Sequence, residues 1–515
     1  MRLLNLKNIV FKDATAPVGD TANNGQGFFP QDIRALYNVP PELQGAGQTV
    51  GILEFSNGFN RVDSENFWKS HGITPPNIDV VWITPPTGMV EQVEASLDVQ
   101  WVGGIAPKAS IIVYEASAGS TYASFAQAVT NTLQYILNDT TRHPSVLSIS
   151  YGDAEFSFGA DACNQWASLI QQLDAKGITV CIASGDQGAY GTHSLNEAKI
   201  RRTDAPASAP FAVAVGGTTL RSNGTESAWT YDGNNGGATG GGESQVFANR
   251  GVPDISLNAD PATGYQIFYN YQPTVVGGTS GATPVFAAIV AMANEQRAKH
   301  GLAPISGLRA WMADHHDEFV RPLSVGDNTF NGVTGYDTTE TYNLCTGYGS
   351  LDATKFINAL STVQPTQPTT HDYHLTITVV DSTVKDHWTR FTATLVDDST
   401  PVPNAKIHFT ITRSVGTFST VVVTNNEGQA SVTIGTPDTQ TIHVEATWTS
   451  PTGKLVQYQL TFTYQDTPNP VAAKTVYYVE TGEFASQVDA QVIVDFCKAH
   501  GWGAVMKQVE VGGVS

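Results

Sequence analysis

The sequence predicts an α/β domain built on a doubly wound parallel sheet, then an all-β sandwich, then a small α+β module. Three observations predict this order. From residue 28 to about 215, short apolar runs of four to seven residues alternate with helical patterns, which is how a parallel sheet covered on both faces reads. From Tyr373 to Tyr464, seven short runs alternate apolar and polar residues with turn signals between them, the pattern of a sandwich. Two Pro-containing stretches, 363–371 (VQPTQPTTH) and 466–470, separate these regions from each other and from a final strand, helix, strand pattern. The expected divisions are an N-terminal arm at 1–26, the α/β domain at 27–362, a linker at 363–371, the sandwich at 372–465 and the terminal module at 466–515.

In the α/β region, residues 49–55 (TVGILEF), 80–84, 110–115, 146–150, 178–183 and 211–215 are expected strands. Residues 62–72, 89–103, 122–138 and 162–176 are expected helices. Ligands of such sheets sit beyond the carboxyl ends of the strands, where Ser150-Tyr151-Gly152 and Ser184-Gly185-Asp186 fall. The glycine-rich residues 222–247 are either a surface loop or backbone packed closely against a substrate or turn.

The 515 residues suit two to four domains. There are 47 acidic against 27 basic residues, a formal net charge of −20. That balance argues against nucleic acid and anionic membranes as partners. Only 14% of residues are charged, which fits a chain working in acid or outside a cell. Cys163, Cys181, Cys345 and Cys497 are widely spaced, with no metal-ligand pattern and no expected disulfide framework. The N-terminus carries no recognisable secretory signal and no stretch is long enough to cross a membrane. A secreted, cell-surface or virion-associated location is expected.

The chemistry centres on residues 275–290, VVGGTSGATPVFAAIV. Pro284, four residues after Ser280, suits the first turn of a helix, and the all-round apolar run 285–293 must be buried. Ser280 at the head of such a helix is either a plain N-cap or a nucleophile, since helix N–H groups face any developing negative charge. Ala282 stands where a Gly-x-Ser-x-Gly elbow has its second glycine. No histidine lies in the His-Gly-Thr context of a subtilisin-type base; the nearest is His71-Gly72-Ile73. Glu94 and Asp98 are four apart on a helix otherwise poor in charge, on one face and within mutual reach. A buried pair of this kind is costly unless it shares protons or does chemistry. Asp186 follows an apolar strand in CIASGDQG and is either a turn carboxylate or part of the same site.

Together, a serine without a histidine, the Glu-x-x-x-Asp helix and the strand-end aspartate resemble the sedolisin family of serine-carboxyl peptidases. The segments GGGESQVF, RGVPDISLNADPATGY, VVGGTSGATPVFAAIVA and SLDVQWVGGIAPKASIIVYEA carry the likeness, and FFPQDIRALYNVP is similar to the start of a family catalytic domain. The resemblance covers about residues 27–362 and implies a subtilisin-like fold. It implies Ser280 as nucleophile, Glu94 as general base and acid, Asp98 as its partner and Asp186 as protonated oxyanion donor. Glu54 matches an acid behind the pair in kumamolisin-like members, and Asp204 an acidic position lining the substrate pocket. Tyr151, beside Gly152 in the substrate-binding segment, stands where members often have Trp. The family's calcium carboxylates are replaced: the best register puts Pro322 at the first and Asn343 at the second, so no cofactor is expected, with Asp327 or Asp337 as substitutes only after a loop shift. A family prodomain is not seen. The sandwich resembles invasin-type bacterial Ig-like domains, and residues 476–511 loosely resemble a SPOR-type unit, which implies a cell-wall or assembly partner.

The expected function is therefore an acid-acting serine-carboxyl endopeptidase with protein or peptide substrates, no nucleic-acid partner and no membrane insertion. The rivals are a structural or adhesive protein that retains a peptidase scaffold, and a subtilisin-type enzyme, which would need a base histidine.

Overall fold

A computed structural model describes residues 25–362, apart from 86–89, 92, 195 and 232–235, and residues 373–464, apart from 382–387, 398–399, 436–439 and 450–454. Almost all of the expected N-terminal arm, the linker 363–371, the terminal module 466–515 and Cys497 lie outside the described residues. The described chain divides into two compact units, 25–362 and 373–464.

The first unit is organised by an eight-stranded sheet: β1 Thr49–Phe55, β2 Ile78–Trp82, β3 Ser110–Ala116, β4 Val146–Ile149, β5 Thr179–Ala183, β6 Val213–Leu220, β7 Glu226–Ala228 and β8 Ile255–Asn258. The order is β7-β6-β5-β4-β1-β3-β2, with β8 also on β6. Every pair is parallel except β6 with β7. The helices that matter here are α1 Arg61–Ser70, α2 Val93–Ile105, α3 Tyr122–Asn138, α4 Ala160–Ala175 and α5 Thr279–Lys299.

Strand alternation sorts the side chains into two cores. Val50 and Ile52 of β1 and Ile111 and Val113 of β3 pack with Leu97 and Val102 of α2 and Val285 and Ile289 of α5. Leu53, Ile112, Leu147 and Ile149 point the other way, against Val129 and Leu133 of α3 and Trp166 and Ile170 of α4. Side chains of the size of Val285, Phe286, Ile289 and Val290, all fully buried, each contribute about 1.5–3 kcal/mol, which anchors α5 through the middle of the unit. Continuing the first parity set places Glu54 and Glu115 on the α2–α5 face. They are the last members of two apolar rows.

Two expectations shift. The helix expected from residue 89 begins at Val93, because Val90–Glu91 pair as a short parallel strand with Asn57–Gly58; Met89 lies outside the described residues. The helix expected after Pro284 begins at Thr279, so Pro284 is its sixth residue rather than part of the first turn. Elsewhere the strand expected at 211–215 runs on to Leu220, where it gains β7 and β8 as partners.

The second unit has two antiparallel four-stranded sheets. Tyr373–Asp381, Trp388–Asp397, Thr400–Pro401 and Gln429–Gly435 form one, and Gly416–Val423, Lys406–Arg413, Gln440–Thr449 and Leu455–Tyr464 the other. Alternate residues of both, including Leu375, Phe391, Ile407, Phe409, Val432, Val444 and Phe462, share one core. The seven expected strands are all present. Gly416–Val423 is an edge strand that leaves Phe418, Val421 and Val423 exposed.

Candidate active site

Ser280 is the second residue of α5 and is buried. The turn that presents it depends on Gly278, whose φ of 111° disfavours any side chain and whose added Cβ would lie 2.6 Å from Asp186 Oδ2. Because Pro284 has no N–H, the Ser280 carbonyl lacks its usual helical partner. The Ser150 hydroxyl, at the end of β4, stands 3.4 Å from that carbonyl oxygen. Proline thus frees the serine's own carbonyl and lets a strand-end side chain reach it.

The carboxyl pair approaches from α2. Glu94 is the second residue of that helix and lies near enough to the Ser280 hydroxyl for that group to pull its carboxyl pKa down. Asp98, one turn on, accepts from Ser150 Oγ at 3.0 Å. A hydroxyl has one proton, so Ser150 chooses between Asp98 and the Ser280 carbonyl, and the nearer acceptor is Asp98. Behind the pair lies Glu54, whose Oε2 accepts from the Tyr151 hydroxyl; Asn57 Nδ2 in turn donates to that hydroxyl. The Tyr151 ring is held edge-on by Phe55. Glu54, Glu94 and Asp98 are each at most 3% exposed. Burial pushes all three well above the usual carboxyl range. Asp98 adds repulsion to Glu54 and Glu94, while Ser280 pulls Glu94 down, Tyr151 Glu54 and Ser150 Asp98. The N-terminus of α2 favours the Glu94 anion as well.

Asp186 leaves the end of β5 through Ser184-Gly185. Its Oδ1 accepts from both the N–H and the hydroxyl of Thr279, each at 2.8 Å. With that oxygen committed, a proton on the carboxyl resides on Oδ2, the oxygen facing Gly278. Burial raises Asp186 above its ordinary value, with the Thr279 bonds and His193 opposing. The glycine-rich segment packs here: Gly240 N donates to Gly185 O at 2.7 Å, Ala238 N to Asp186 O at 3.0 Å, and Ser184 Oγ to Gly240 O at 2.7 Å. Of the two readings of residues 222–247, close backbone packing is the one observed for 237–242.

The other expected substrate residues gather on the far side of Asp186. Asp153–Ala154 pair with Asp204–Ala205, which sets Gly152 against the Ala205 carbonyl. The Asp204 carboxyl lies over Gly185. Burial, then repulsion from Asp153, Asp186 and Glu155, pushes Asp204 well above the usual range. Burial also pushes Asp153 upward, but His193, with Nδ1 3.5 Å from Asp153 Oδ2, and the Ala154 N–H bring it below its ordinary value.

Ser280, Glu94, Asp98, Asp186, Glu54 and Tyr151 thus form one linked set, with Gly152 and Asp204 adjoining it. Sequence reasoning placed Ser150 at a strand end without giving it a role, and passed over Thr279 and Glu115. The available signal for Glu115 was an acid closing an apolar strand, SIIVYEA, just as Glu54 closes TVGILEF.

At the two positions where calcium carboxylates were sought, Pro322 follows the short strand Val320–Arg321, and Asn343 is consumed internally. Its Oδ1 accepts from Cys345 N at 3.0 Å and Thr346 N at 2.8 Å, and its Nδ2 donates to the Thr339 and Thr341 carbonyls. Among the described residues no group of three His, Cys, Asp or Glu side chains is placed to hold a metal ion. No described helix is long and apolar enough to cross a membrane.

Comparison with known proteins points to the same fold. A subtilase family model matches residues 87–336. The chain is 31% identical over 364 residues to kumamolisin of Bacillus sp. (strain MN-32), covering 65% of this chain and 63% of that protein. It is 26% identical over 398 residues to sedolisin of Pseudomonas sp. (strain 101), covering 68% and 66%. The chain therefore spans a little under two thirds of these relatives' lengths. The solved structure of Pseudomonas sedolisin, a serine-carboxyl proteinase complexed with two molecules of pseudo-iodotyrostatin, aligns with a TM-score of 0.57 at 26% identity, over 66% of this chain and 99% of that one. The first unit is thus similar to kumamolisin and sedolisin and shares the fold of the solved sedolisin structure.

Proposed function

We propose that this chain is an acid-acting serine-carboxyl endopeptidase. The observation that carries the reading is the convergence of three groups on the start of α5: buried Ser280, Glu94, whose carboxyl the Ser280 hydroxyl pulls down, and Asp186, which accepts from Thr279. In this reading Ser280 Oγ attacks the substrate carbonyl carbon while the Glu94 carboxylate takes its proton. The carbonyl π electrons move to oxygen, and the proton on Asp186 Oδ2 donates to that oxyanion. The C–N bond then breaks as Glu94 returns the proton to the leaving amine, and water repeats the sequence on the acyl-enzyme. In this reading Asp98 keeps its proton, and so steadies the Glu94 carboxylate without repelling it, while Ser150 donates to Asp98.

Acid operation follows from the roles. A carboxylate base works best near its own pKa, below that of histidine. Asp186 must also keep its proton. The neutral state favoured for Asp204 weakens the charge-assisted hold on a basic side chain before the scissile bond, so that preference should grow as pH rises. The calcium site of the family is proposed to be lost, because Asn343 spends its carbonyl oxygen on backbone donors and Pro322 offers no carboxylate. The sandwich is proposed to be an Ig-like accessory domain outside the chemistry.

The test is digestion of an unfolded protein in acid by the full chain and by Ser280→Ala. Cleavage by the first and not by the second is expected. Cleavage by neither, with both proteins folded, overturns the enzyme reading in favour of a retained scaffold.

A further inference from the structure

Behind the Glu94–Asp98 pair lies a buried acid for which the catalytic scheme has no use. Glu115 closes β3 as Glu54 closes β1, and the two are register partners in adjacent parallel strands. Paired residues of parallel strands project on the same face, here the α2–α5 side. Glu115 is 1% exposed, and its Oε2 has no hydrogen-bond partner; the same holds for Glu54 Oε1. Two buried carboxyl oxygens without partners, on register-paired residues of one face, are costly unless one of the carboxyls carries a proton. The neighbour of Glu115 on β2 is Trp82, which offers no charge. The described titratable groups around the pair are Asp98 and Glu94 from α2 and Tyr151 after β4. All of these are acids, and no described cation is among them.

We infer that Glu115 is a positioning residue that stays protonated and donates its hydrogen bond to Glu54 Oε1. Tyr151 already donates to Glu54 Oε2. The two donors together make Glu54 the acceptor at the inner end of the carboxyl chain, and so ease the first loss of a proton from the Glu54–Asp98–Glu94 set. Burial, which pushes Glu115 up to about 8, keeps this donor in place throughout the acid range. The inference rests on the serine-carboxyl reading for its effect on catalysis, but not for the proton itself.

Two variants separate donation from packing. Glu115→Gln keeps a donor and removes a carboxyl; Glu115→Leu removes both. In the Ser280→Ala background, infrared difference spectra at neutral pH, parent minus variant, should show one protonated-carboxyl component lost in both substitutions. In the active chain, Glu115→Gln should retain the wild-type profile of kcat/KM against pH. Glu115→Leu should move its acid limb upward by about one to two pH units, the scale of one hydrogen bond to a charged carboxylate. Circular dichroism checks that both variants fold. A difference spectrum with no protonated-carboxyl component lost in Glu115→Gln, or profiles that coincide for Gln and Leu, overturns the inference. Full turnover by Ser280→Ala would instead overturn the proposed function, and the infrared result would still decide whether Glu115 holds the proton.

Discussion

Replacing Glu115 by Gln should change how stability depends on pH, and the size follows from its environment. Burial raises its carboxyl from an ordinary 4.5 to about 8. The folded state therefore holds this proton more tightly than the unfolded chain does. Its contribution is fully present below about pH 4.5 and is lost as pH rises through about 8. Each unit of that gap is worth about 1.4 kcal/mol, so the folded state loses roughly 3 kcal/mol on this group by pH 7 and about 4–5 kcal/mol by pH 9. That is a large share of a typical folding free energy of about 5–15 kcal/mol. Gln does not ionise, so the loss disappears, and any fixed cost of the substitution cancels when pH values are compared. Urea unfolding of Ser280→Ala with and without Glu115→Gln, at about pH 5, 7 and 9, measures it. The variant should gain on its parent by several kcal/mol from the lowest to the highest pH. Parallel curves would show that Glu115 is not held neutral by burial.

Asp186→Ala should lower kcat by about a hundred- to a thousand-fold, the usual cost of one oxyanion donor, with little change in KM; unchanged steady-state kinetics would remove Asp186 from the chemistry. Asp204→Asn should abolish any growth in preference for Arg or Lys before the scissile bond as pH rises, which a cleavage-site profile at two pH values detects. Chelator should leave the melting temperature unchanged, and metal analysis of the purified protein should find no stoichiometric calcium; a marked drop in melting temperature would restore a calcium site through a shifted loop.

The sheet was legible because its strands are apolar and short, and because glycine and polar turns mark their ends. The four positions proposed to be catalytic stood out through the resemblance of their combined pattern to a known family, since the spacing of Glu94 and Asp98 alone is common on helices. Two kinds of feature were not. The start of α2 depends on a pairing between Val90–Glu91 and Asn57–Gly58, a contact between distant segments that no helical periodicity announces. The start of α5 lies five residues before Pro284, where Thr279 bonds Asp186 from the end of a distant strand. Glu115 needed the register of β1 against β3 before its neighbour could be known. Periodicity shows which face a residue takes; it does not show what stands opposite.

The most direct test of the account is the profile of kcat/KM against pH on a peptide substrate for the wild-type chain and for Glu94→Ala. Activity that peaks in acid and is lost in folded Glu94→Ala as completely as in Ser280→Ala is the predicted result. Activity that peaks above neutrality, or survives Glu94→Ala while Ser280→Ala abolishes it, would mean that the serine uses another base, and would contradict the account.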